Sequence, residues 1–142
     1  MKRILVIDDA EFILESTSTL LRFEGYEIFT APDGEAGVIA AQKNKPDLIL
    51  CDISMPRLDG YGVLERIRSN PETSTTPFIF LTAFTEKSNM RLGMEKGADD
   101  FLVKPYTRDE LIAAIDAQWN KHQLIEKQVQ EKVEEVGRNV TY

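Results

Sequence analysis

Short apolar runs recur along the chain, and each closes on a polar side chain. Ile4-Leu5-Val6-Ile7 ends at Asp8-Asp9, Leu48-Ile49-Leu50-Cys51 at Asp52, Phe78 to Leu81 at Thr82, and Phe101-Leu102-Val103 at Lys104. A continuous apolar run of this length predicts a strand covered on both faces and opening onto a loop. Tyr26 to Thr30 reads as one more strand. Between the runs the period lengthens. Phe12, Ile13, Leu20, Leu21 and Phe23 suit the apolar face of a helix starting at Glu11, with Gly25 as its stop. Pro32-Asp33-Gly34 is a turn and helix start, with the helix running over 35–42 and ending before Lys45-Pro46. The segment Met55-Pro56-Arg57-Leu58-Asp59-Gly60 is a loop leading to a helix through Arg68. A further helix is expected over 86–96, stopped by Gly97. Five strand and helix units in strict alternation require a parallel sheet with right-handed crossovers and helices on both faces, so the fold class is α/β, doubly wound.

The last helix breaks the pattern by not stopping. It starts near Thr107, with Glu110 three residues on in a capping-box arrangement. No proline interrupts it, and the next glycine is Gly137. Ile112, Ile115, Trp119, His122, Glu126, Val129, Val133, Val136 and Val140 follow a 3,4 spacing, which is an imperfect heptad. The expected organisation is one domain over 1–121 and a helical coiled-coil extension or linker over 122–142, able to dimerise or to dock a partner helix.

Composition narrows the function. A chain of 142 residues has room for one core. With 42% hydrophobic and 29% charged residues it is ordinary globular material. A net charge of −7 disfavours a direct nucleic-acid surface, which draws on clustered Lys and Arg. The single cysteine, Cys51, forms no intrachain disulfide, and no apolar run reaches the roughly 20 residues of a membrane span. A cytoplasmic protein without a membrane anchor is expected.

In an open parallel sheet, ligands bind beyond the carboxyl ends of the strands. That rule gathers Asp8, Asp9, Asp52, Thr82 and Lys104. Three neighbouring carboxylates need a counter-charge, and oxygen ligands of this kind suit a hard divalent ion such as Mg²⁺. The lysine, with a hydroxyl and loop amides, supplies donors for a phosphoryl group.

These pieces, taken with Gly97-Ala98-Asp99-Asp100-Phe101 and Val103-Lys104-Pro105-Tyr106, resemble the receiver domain of two-component response regulators over roughly Lys2 to Lys121. The resemblance implies a flavodoxin-like sheet of strand order 2-1-3-4-5. It implies that Asp52 accepts a phosphoryl group from a histidine kinase or phosphotransfer protein. Asp8, Asp9, Asp52 and the carbonyl of Ser54 would hold Mg²⁺. Thr82, the Ala83 amide and Lys104 would hold the phosphoryl oxygens, and Thr82 with Phe101 would form the switch. On this reading the domain regulates and catalyses only its own phosphotransfer and slow dephosphorylation. Leu124 to Tyr142 resembles the signalling helix that precedes the dimerisation helices of histidine kinases carrying an N-terminal receiver. Two other readings stand beside it. One is a receiver-like scaffold that takes no phosphate. The other is an aspartyl-phosphate hydrolase, for which the second acid expected two residues past the nucleophile is Ser54 here.

Overall fold

The computed structural model describes residues 2–83 and 93–139, with side chains through 133. Five parallel strands, β1 (Arg3–Ile7), β2 (Glu27–Ala31), β3 (Leu48–Asp52), β4 (Phe78–Ala83) and β5 (Asp100–Lys104), form one sheet of order β2-β1-β3-β4-β5. Helices α1 (Glu11–Phe23), α2 (Gly34–Asn44) and α3 (Gly60–Ser69) connect the first four, and α4 (Arg108–Asn139) follows β5. The expected fold class and strand order are those found. Strand β2 starts one residue later than the apolar pattern suggests, because the Tyr26 amide still bonds to the Leu21 carbonyl at 3.1 Å and closes the end of α1. Gly25, at φ +99°, makes that turn without a side-chain penalty. Of the helix expected over 86–96, residues 86–92 lie outside the described residues; 93–95 are helical and the turn ends at Gly97, φ +106°.

Alternation along the strands splits the core in two. Leu5, Ile7, Ile49, Cys51, Phe78 and Phe80 pack against α2 and α3, whereas Ile4, Val6, Leu48, Leu50, Ile79 and Leu81 pack against α1 and α4. Helix α1 does not bury the face its aromatic residues suggest. Phe12 and Phe23 are 80% and 90% exposed, and the buried positions are Leu14, Thr17, Ser18 and Leu21. That set keeps helical spacing, and its two hydroxyls are satisfied locally or across the core. Ser18 donates to the Leu14 carbonyl at 2.6 Å, and Thr17 meets the Tyr106 hydroxyl at 2.6 Å. Small side chains let α1 lie close on the sheet, at the cost of pushing its two phenyl rings outward.

At the amino end of the sheet, Arg68 of α3 bonds to Asp99 at 3.1 Å and to the carbonyls of Thr76 and Gly97, while Asp99 accepts the Phe78 amide at 2.8 Å. This clasp sets the starts of β4 and β5 against each other. Their carboxyl ends then fall in register, Thr82 beside Val103 and Ala83 beside Lys104.

Helix α4 begins with the expected capping box: the Glu110 amide donates to Thr107 Oγ1 at 3.1 Å, and the Thr107 amide to Glu110 Oε1 at 3.3 Å. Its 32 residues span about 48 Å at 1.5 Å per residue. Leu111, Ile115 and Gln118 are buried, Trp119 rests near Tyr26 with Lys2 Nζ 4.7 Å from its ring centroid, and residues 121–133 are exposed throughout. So Ile115, counted in the expected seam, belongs to the domain core. The exposed apolar residues of the extension include Leu124 and Ile125, which that seam omitted, besides Val129 and Val133. Val136 lies beyond the described side chains and Val140 beyond the described residues.

Helix α2 crosses β1 at Gly37, where an added Cβ would lie 2.5 Å from Ile7 Cδ1 and 2.9 Å from its Cγ1. Alanine normally favours a helix over glycine by about 1 kcal/mol. Here overpacking outweighs that gain, and Gly37→Ala is expected to lower the unfolding free energy by about 1–2 kcal/mol. Urea unfolding followed by circular dichroism measures it; an unchanged or higher midpoint would refute the close crossing.

Candidate functional site

Strand register assembles the site. Ile7 pairs with Cys51 across β1 and β3, so Asp8 and Asp52 emerge side by side one step further on. Asp52 pairs with Leu81, which places Thr82 at the next step along β4, and Lys104 closes β5 opposite Ala83. Helix α3 presses on this corner through Gly60. Its amide bonds to the Ile53 carbonyl at 2.8 Å, and an added Cβ would sit 2.4 Å from the Asp52 carbonyl oxygen. Only a residue without a side chain permits that approach.

The three carboxylates meet. One oxygen from each of Asp8, Asp9 and Asp52 lies within 4.8 Å of the others. Asp8 is fully buried and uses both its oxygens: Oδ1 accepts the Ala10 amide at 2.9 Å, and Oδ2 accepts Lys104 Nζ at 2.8 Å. Lys104 Nζ also lies 3.3 Å from Asp52 Oδ1. Asp9 is exposed at the rim, and Asp52 is buried. Burial pushes the Asp52 carboxyl up to about 7; the Lys104 ammonium opposes this, and the Asp8 carboxylate adds to it. Burial pulls Lys104 down, but the hydrogen bond it donates to Asp8 and the charge of Asp52 outweigh it and leave the ammonium above its ordinary value.

The remaining expected residues lie on β4, on β5 and in the loop after β3. Thr82 is buried, with its hydroxyl donating to the Ala83 carbonyl at 3.2 Å. Ser54 lies in the exposed loop two residues past Asp52, and Phe101, half-buried, packs on the core face shared with α2 and α3. Cys51 is buried, as a core residue should be, with its thiol pushed up by burial. His122 pairs with Glu126 at 3.0 Å on the exposed part of α4, far from this chemistry in the chain. Pattern reading missed the Thr17–Tyr106 bond, whose partners stand 89 positions apart. The only hint was a β-branched hydroxyl on the buried face of α1.

One ammonium against three carboxylates leaves the group short of positive charge, and all the offered atoms are hard oxygens. The donor set therefore fits a divalent cation of the Mg²⁺ class. The family pattern for the response regulator receiver domain matches residues 4–116. This chain belongs to that family. As a receiver, it is a regulatory domain of two-component signal transduction. It is 43% identical over 114 residues to the ycf27 transcriptional regulator of Porphyra purpurea, covering 80% of this chain and 46% of that protein. The receiver domain protein of Clostridium thermocellum superposes with a TM-score of 0.82 at 33% identity, covering 88% of this chain and 99% of that one. The receiver domain of the sensor histidine kinase PA1611 from Pseudomonas aeruginosa PAO1, solved with a magnesium ion coordinated in its active-site cleft, gives 0.76 at 30% identity, covering 82% and 95%. The receiver spans less than half the length of the curated relatives it matches. Among its described residues no helix is long and apolar enough to cross a membrane.

Crowding has a measurable cost. At pH 8, above the Asp52 value, all three carboxylates share the site, and Asp52→Asn removes one of them. In EDTA the variant is expected to be more stable than the parent by roughly 1–3 kcal/mol. Millimolar Mg²⁺ should raise the melting temperature of the parent more than that of the variant. A variant less stable in EDTA would mean that the carboxylates do not repel.

Proposed function

We propose that Asp52 is the phosphoacceptor of this receiver and that a histidine kinase or phosphotransfer protein is its donor. The observation that carries the reading is Lys104 Nζ lying between Asp8 and Asp52, at 2.8 and 3.3 Å, on the edge where three carboxylates converge. An Asp52 oxygen attacks the phosphorus. As the P–O bond forms, the donor's N–P bond breaks and its electron pair returns to the imidazole, which takes a proton from water. Lys104 neutralises one phosphoryl oxygen, and the Thr82 hydroxyl and Ala83 amide hold another. Asp8, Asp9, Asp52 and the Ser54 carbonyl are the residues to hold Mg²⁺, which when bound supplies positive charge against the transferring oxygens. Drawing Thr82 towards the phosphoryl group opens room for Phe101, and the face built on β5 and α4 changes with it. A scaffold would have no use for this set of acids, hydroxyl and lysine, and Ser54 stands where the hydrolase would need an acid.

Output runs through α4. The receiver proper ends near residue 121, where burial ceases, and the helix beyond it, described to Asn139, serves as a dimerising coil or linker to an output module or partner. Exposed Ile125, Val129 and Val133 on a continuous helix support this. The receiver of a hybrid histidine kinase would carry such a signalling helix, and the site of action would be the cytoplasm.

Incubation with phosphoramidate and Mg²⁺ is expected to add the mass of one phosphoryl group to the parent, and none to Asp52→Asn or in the presence of EDTA. Equal labelling of Asp52→Asn would refute the assignment. Light scattering on the full chain should give a dimer that becomes a monomer on truncation after Lys121; a monomer in both would refute the coil.

A further inference from the structure

Resting on the phosphoacceptor reading, we propose that the Thr17–Tyr106 hydroxyl pair is a positioning element that sets where β5 delivers Lys104. Strand β5 is an edge strand, paired with β4 alone, and its last pair is Ala83 with Lys104. Beyond that point the chain passes through exposed Pro105 to Tyr106 and reaches the α4 cap at Thr107. No ladder holds this stretch. Its anchor is Tyr106, whose ring packs against the α1 and α4 side of the core and whose hydroxyl lies 2.6 Å from Thr17 Oγ1.

Thr17 is 4% exposed and belongs to the helix that starts at Glu11, one residue beyond the Asp8-Asp9-Ala10 turn. One rigid helix thus carries the acidic loop at its start and, six residues along, the socket for Tyr106. The span between the carboxylates that follow β1 and the ammonium on β5 is tied through α1 on one side and through β3 and β4 on the other. Lys104 reaches its partners through four rotatable bonds, so a shift of its backbone alters where the ammonium meets a phosphoryl oxygen. Displacements of about 1 Å in a positioning group cost up to about a hundredfold in rate. Removing one hydroxyl leaves the other without its part-buried partner, which loosens residue 106 in its socket. Thr17 and Tyr106 touch no reacting atom.

The test compares Tyr106→Phe, Thr17→Val, Thr17→Ser and the Phe/Val double variant for the rate of Asp52 labelling by phosphoramidate and for Mg²⁺ affinity by calorimetry. The single variants Tyr106→Phe and Thr17→Val are expected to label about fivefold more slowly, with Mg²⁺ affinity within about twofold of the parent. The double variant should be no slower than either single, because both break one bond. Thr17→Ser, which keeps the hydroxyl, should label at nearly the parent rate. Parent-like rates in both singles, additive losses in the double, a Thr17→Ser as slow as Thr17→Val, or Mg²⁺ affinity falling in step with the rate would each overturn the proposal. An unlabelled parent brings down the phosphoacceptor reading and this inference with it; a labelled parent with unaffected variants removes the positioning role alone.

Discussion

Like charge held together at one edge of a parallel sheet is the constraint around which this receiver is arranged. Asp8 and Asp52 emerge from adjacent strands because Ile7 and Cys51 are paired, and Asp9 follows Asp8 in sequence. The same register that buries Leu5, Ile7, Ile49 and Cys51 therefore forces two carboxylates together at the ends of neighbouring strands. The fold tolerates this because Lys104 arrives from the far edge of the sheet, three strands away from β1. A half-buried ammonium shared by two buried carboxylates is weak evidence for stability and good evidence for function, since hydrophobic side chains of the same volume would hold the sheet as well or better.

Much of this was legible from residue order. Strands buried on both faces have no polar positions to spare, so each run ends abruptly where the sheet ends, and the first polar residue of each marks the active edge. Asp8, Asp52, Thr82 and Lys104 could be selected in that way before any contact was known. Helix α1 was legible in existence and misread in orientation. Phe12 and Phe23 dominate any count of apolar residues, yet Thr17 and Ser18 occupy the core, because a hydroxyl that bonds to a backbone carbonyl or to a tyrosine loses little on burial. The ties that align the strands were not legible at all. Arg68 with Asp99 and Thr17 with Tyr106 join residues 31 and 89 positions apart, and no periodicity encodes such pairs.

Helix α4 joins the two regimes of the molecule. Leu111, Ile115 and Gln118 lie on the sheet at 4,3 spacing, and the same alternation continues through His122, Ile125 and Val129, all exposed. One stripe thus changes its environment without changing its direction along the helix. Trp119, wedged near Tyr26 and Lys2, and Lys121, 3.6 Å from Asp99, mark the point of exit. With no glycine or proline between Thr107 and Val136, there is no place in that span for the backbone to absorb a rotation, so turning the buried turns of α4 must turn the exposed ones by the same amount. A change at β5 and the start of α4 would therefore reach the extension through a helix with no glycine or proline to absorb it, and Tyr106, lying between Lys104 and the cap of α4, stands where that movement would begin.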